Sequence, residues 1–203
     1  VDDPHTAGEA AHRFIADGLL IIENGLVKAA GEARDLLRTL PADAEIVDHR
    51  PHLIMPGFID AHIHMPQTQV VASYGAQLME WLNKYTFVEE QKLGEQGHAE
   101  KLSRFFLDEL LANGTTTAAV YCSVHPQSAE AFFTESQRRN TRMIAGKVMM
   151  DRNAPEALTD TAESSYRDSK ALIARWHGRG RQLYAITPRF AITSTPEQMA
   201  AAG

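Results

Sequence analysis

Apolar and polar residues follow two different rhythms along this chain, and the rhythm changes at His64. Before it, short apolar runs are separated by turn residues. Leu19-Leu20-Ile21-Ile22, then Asn24-Gly25, then Leu26-Val27-Lys28-Ala29 predicts a β-hairpin, because Asn-Gly takes the positive φ angles of a type I′ turn. A short helix is expected over residues 33–40, closed by Pro41, and then a strand pair over residues 44–48 and 52–54. Residues 1–12 are polar and Ala-rich and are expected to be loose. From Phe58 on, strands and helices alternate, the signature of βαβ units and a parallel sheet. Phe58, Ile59 and Ile63 make the first of these strands apolar on both faces, as a buried parallel strand should be.

Helices are expected over residues 75–84, 97–113, 128–139 and 160–176, and strands over 115–123, 142–150 and 182–190. Leu102, Phe105, Phe106, Glu109 and Leu110 form a stripe at helical spacing. Thr195-Pro196-Glu197-Gln198 supplies an N-cap, a proline at the first helical position and a Gln able to complete a capping box.

The chemistry concentrates where the rhythm changes. Alternate side chains of a strand share a face, so His62 and His64 point the same way, and two imidazoles at a strand end begin a metal site. The spacing alone is a weak signal, but Pro56-Gly57 upstream and the apolar strand around the pair strengthen it.

These residues also carry a resemblance. Pro56-Gly57-Phe58-Ile59-Asp60-Ala61-His62-Ile63-His64 resembles the first barrel strand of the amidohydrolase superfamily. Further segments resemble its guanine deaminase family in order and rough spacing: His64-Met65-Pro66-Gln67, Glu80 to Phe87, Asn113-Gly114-Thr115-Thr116-Thr117-Ala118, Gly146 to Asp151 and Thr187-Pro188-Arg189-Phe190. The likeness covers Ile54 to Phe190, and before that only the superfamily is recognisable.

The resemblance implies an α/β fold of the TIM type, a (β/α)8 barrel of which about the first four βα units are present. Residues 1–55 would be part of a small β-sandwich domain, and 56–203 the first half of the barrel. It implies one zinc per subunit, or iron, held in part by His62 and His64. The remaining ligands and the glutamate that relays protons would lie beyond Gly203, so no catalytic acid or base is assigned here, and the segment alone is expected to bind metal weakly and not to turn over. Gln67, Arg189 and Phe190 would contact the substrate guanine, with Trp81 and Leu82 as possible pocket residues. The complete enzyme is expected to be a homodimer that releases xanthine and ammonia. The residues themselves leave other readings open: a solvated loop Gln, a surface Arg and a core Phe. Other functions also stay open, namely an amidohydrolase acting on a triazine, cytosine or other N-heterocycle, or a non-catalytic binding protein. Lys147 stands where some amidohydrolases carry a metal-bridging lysine but is read as structural, as is His125.

Composition narrows the partners. The 203 residues carry 26 acidic and 20 basic side chains with no basic run, so nucleic acid and anionic membranes are not expected partners. No apolar run approaches the length of a membrane span and no signal peptide is recognisable. The single cysteine, Cys122, excludes an internal disulfide framework and fits a cytoplasmic location. With 44% hydrophobic residues the chain can bury a core, yet it is shorter than the roughly 250 residues of a complete barrel. A start at Val1 without Met points to an absent upstream piece.

Overall fold

Asn24 and Gly25 adopt φ of 55° and 77°, and on either side of them β1 (Gly18–Glu23) and β2 (Leu26–Glu32) pair antiparallel, as the Asn-Gly signal requires. The computed structural model describes residues 2–203, and the chain divides into two units, Val1–Ile54 and Met55–Gly203. In the first unit the hairpin leads into a helical turn, Ala33–Leu36, and a 3-10 turn, Leu37–Thr39. The strand pair expected over residues 44–48 and 52–54 does not form. Asp48 instead accepts hydrogen bonds from the backbone N and the guanidinium of Arg50, and the His52 N–H donates to the His49 carbonyl. Local side-chain bonds thus compete with a ladder, and Pro51 has no N–H to offer one.

The second unit is an α/β layer built on parallel strands. β3 (Phe58–His64) enters first, and after a 3-10 segment, Met65–Val70, come α1 (Leu78–Trp81), a π turn (Leu82–Thr86) and α2 (Phe87–Glu90). Then α3 (Gln96–Ala112), β4 (Thr115–Tyr121), α4 (Pro126–Arg138), β5 (Arg142–Gly146) and β6 (Val148–Met149) follow. The chain continues through α5 (Ala162–Trp176), β7 (Leu183–Tyr184), β8 (Thr187–Pro188) and α6 (Pro196–Ala202). The sheet order is β3-β4-β5-β7, all parallel, and β6 pairs with β8.

The single strands expected over 142–150 and 182–190 are each interrupted. At the break, a Cβ on Gly146 would lie 2.0 Å from the Ala185 carbonyl oxygen, so only glycine permits the two backbones to approach there. Just beyond it, the buried Lys147 ammonium turns out of line to donate to Asp160 at 2.7 Å and to the Val148 carbonyl at 3.1 Å. Asp160 also accepts from Ser165, Gln198 and the Met150 N–H. A buried charge needs such a partner, and this network ties the strand end to α5 and α6.

The helices cover one face of the sheet. Phe106, Leu107 and Leu110 of α3, Phe132 and Phe133 of α4, and Leu172 and Trp176 of α5 pack on Ala118, Val120, Met143, Ala145 and Tyr184. Phe133 and Trp176 stack with centroids 5.5 Å apart. Each such large apolar side chain contributes about 1.5–3 kcal/mol on full burial. Three expectations need correction. Phe105 and Glu109 lie outside the stripe and are exposed, because the buried face of α3 runs through Leu102, Phe106, Leu107 and Leu110. β3 pairs only with β4 and is the sheet edge among the described residues, so Phe58 and Ile59 are 55% and 74% exposed rather than buried. Gln198 also departs from its expected role. Thr195 caps α6 by accepting from the Gln198 N–H, but the Gln198 side chain bonds Asp160 and Ser165 instead of closing a capping box. No helix among the described residues is long and apolar enough to cross a membrane.

Candidate functional site

The residues singled out in the sequence meet in one cleft of about 880 Å³ at the C-terminal ends of the strands. His62 and His64 end β3, Gln67 lies in the 3-10 segment after it, Trp81 and Leu82 come from α1 and the π turn, and Arg189 and Phe190 follow β8. The period of two in β3 does what the sequence suggests: the Nε2 atoms of His62 and His64 are 3.2 Å apart. Two nitrogens on one tetrahedral ion, at about 2.0–2.1 Å each, lie about 3.3–3.4 Å apart, so the pair fits a shared divalent metal. The fit ends at two ligands. No group of three or more His, Cys, Asp or Glu side chains able to hold a metal exists among the described residues.

Burial, and after it the charges of Arg189 and His62, lower the His64 pKa to about 4. A neutral imidazole is the form that ligates, so His64 is ready at neutral pH. Tyr121, the register partner of His64 on β4, holds both rings: it stacks on His64 at 4.4 Å and lies against His62 at 5.0 Å. The Asp60 carboxylate accepts the His62 backbone N–H at 3.0 Å.

Gln67 and Arg189 present donors to the same cleft. The Gln67 amide makes no hydrogen bond with the described residues, so it keeps both a donor and an acceptor for a ligand. Arg189 is fixed by its backbone, whose N–H donates to the Met149 carbonyl at 3.2 Å. Its guanidinium lies 5.3 Å from the Phe87 ring centroid and donates through Nη1 to Glu90 at 2.6 Å. Burial raises the Glu90 carboxyl above its ordinary range, and Arg189 opposes that rise. Phe190 packs with Leu82, Phe87, Val124 and Val148. Trp81 donates its indole N–H to the Ser73 carbonyl at 3.0 Å.

Tyr121, Phe87 and Glu90 were missed in the sequence. Tyr121 has a signal there, since it ends the strand next to the His pair. Phe87 and Glu90 are three apart and so share a helical face, but nothing local links them to Arg189. His125 and Lys147 take structural places: His125 is the N-cap position of α4 and packs on Gly94, and Lys147 pairs with Asp160.

Over its whole length the chain is 55% identical to guanine deaminase of Escherichia coli, of which it covers 46%. The structure of that enzyme matches it with a TM-score of 0.94 over 100% of this chain. Guanine deaminase of Bradyrhizobium japonicum matches with 46% identity and a TM-score of 0.93, covering 100% of this chain and 44% of the other. Guanine deaminase of C. acetobutylicum, solved with bound guanine in the active site, is 28% identical with a TM-score of 0.81, over 90% of this chain and 43% of the other. The chain thus spans about half the length of the relatives it matches. Residues 53–203, from just before β3 to the last residue of the chain, match the amidohydrolase family, to which this chain belongs.

Proposed function

We propose that this chain is the metal- and substrate-binding half of an enzyme that hydrolyses guanine to xanthine and ammonia. The observation that carries the reading is the convergence of the His62 and His64 Nε2 atoms, 3.2 Å apart, in the cleft that Gln67 and Arg189 also line. It is supported by the likeness to guanine deaminases over the whole chain, one of them solved with guanine. The same likeness supports a (β/α)8 barrel of which this chain supplies about the first half.

His62 and His64 hold zinc or iron, with further ligands from outside the chain. The chemistry such an ion supplies when bound is the acidification of water to a nucleophile at neutral pH. The chain's own residues orient the base. Arg189 offers a planar fork that matches two adjacent acceptors, as the O6 and N7 edge of guanine provides. Gln67 has a donor and an acceptor for another part of the purine, and Phe190 supplies an apolar surface against the ring. Trp81 and Leu82 close the side of the pocket and exclude water. The proton relay belongs to a residue outside this chain.

The test is ammonia release by the intact protein that contains this chain. Guanine is expected to be deaminated, with activity lost on chelation and restored by zinc or iron, while cytosine and a triazine release no ammonia. Faster turnover of either alternative would overturn the substrate, and an intact protein without bound metal would favour a binding function. The 203-residue chain alone is expected to hold metal weakly and to release no ammonia.

A further inference from the structure

The Glu90 side chain is 1% exposed, yet its carboxylate has one hydrogen-bond partner among the described residues. Oε2 accepts from Arg189 Nη1 at 2.6 Å, and Oε1, also buried, has no partner among the described residues. Arg189 is itself only 4% exposed in its side chain, and besides Glu90 its guanidinium touches the Met150 sulfur at 3.9 Å, again through Nη1. Nε and Nη2 make no hydrogen bond with the described residues although this side chain lines the cleft. The ion pair therefore consumes one corner of the fork and leaves the rest for a ligand.

A buried guanidinium without a counter-charge favours anions, because an anion would relieve its charge. With a carboxylate behind it, the fork retains its donors while its net charge is offset. Such a fork suits an uncharged acceptor edge, such as a ring carbonyl beside a ring nitrogen. We infer that Glu90 positions Arg189 and sets the cleft's preference for a neutral heterocycle over an anionic one. The inference rests on the substrate-reading role of Arg189 proposed above. Its rival is a purely structural ion pair that joins α2 to the end of β8.

The experiment uses the intact protein and compares Glu90→Gln, Arg189→Gln and the double variant. It reads kcat and KM for guanine, inhibition by orotate as an anionic heterocycle, and thermal stability. Glu90→Gln is expected to lower kcat/KM about tenfold or more, mainly through KM, and to strengthen orotate inhibition about tenfold. On the Arg189→Gln background the same change is expected to lower kcat/KM less than about threefold, because the group it positions is gone. Equal losses on both backgrounds, or unchanged orotate inhibition, would overturn the inference. If Glu90→Gln does not fold, Glu90→Asp carries the test: it keeps the charge, so orotate stays excluded while KM rises, and an unchanged KM overturns the role. Arg189→Gln with intact guanine turnover would instead refute the substrate-reading role on which the inference rests.

Discussion

The Tyr121 hydroxyl makes no hydrogen bond with the described residues, yet its ring packs on the imidazoles of both His62 and His64, the pair proposed to hold a metal. Its contribution is therefore one of packing, which fixes the orientation of the two rings. Tyr121→Ala in the intact protein is expected to weaken zinc binding about tenfold in chelator competition, on the scale seen when supporting contacts of a metal ligand are removed. Tyr121→Phe is expected to leave affinity unchanged, and an equal loss in both variants would refute the packing role. Residues of this kind divide sharply in how well the sequence shows them. His62 and His64 are legible because a period of two is a property of the strand itself. The partnership of Glu90 and Arg189 is not, because it spans 99 positions and no local period encodes it.

Elements were legible where one force decides them. The hairpin follows from the backbone freedom of Asn24-Gly25, and α3 from apolar residues at helical spacing. The segment at 44–54 failed the same reading because Asp48 spends its carboxylate on Arg50, a local competition that hydropathy cannot show. The break at Gly146 is another limit, since contact with Ala185 depends on a strand nearly forty residues on. Gly146→Ala would force a Cβ into that carbonyl and is expected to destabilise the fold by about 3 kcal/mol. Denaturant unfolding checks this, and a midpoint equal to wild type would show that β5 and β7 can separate freely. The π turn at Leu82–Thr86 is likewise invisible in the pattern, which predicts a regular helix through Lys84.

At the scale of the molecule, burial sets a limit on alkaline stability. Cys122 is pushed upward from 9.0 by burial, and Tyr184 is pushed from 10.0 up to about 12 by burial. Both groups keep their protons in the folded chain at pH values where the unfolded chain has lost them. The stability they contribute is complete below about pH 9 and falls as pH rises towards 12, by about 1.4 kcal/mol per pH unit for each group that titrates only when unfolded. Unfolding midpoints measured from pH 8 to 11 are expected to decline, and Tyr184→Phe to flatten the decline above pH 10. A pH-independent midpoint would contradict it.

The sheet order β3-β4-β5-β7 has a consequence for how the chain is made. Within the four-stranded sheet the strands lie side by side in the order of synthesis, and each pairing closes across the helical segment between two neighbouring strands of the sheet. On a ribosome releasing the chain from its N-terminus, the four-stranded layer grows in one direction from β3. The imidazole pair of β3 is therefore translated, and its strand available for pairing, before Arg189 has been made, so the side of the cleft that carries Arg189 is laid down against strands that already exist.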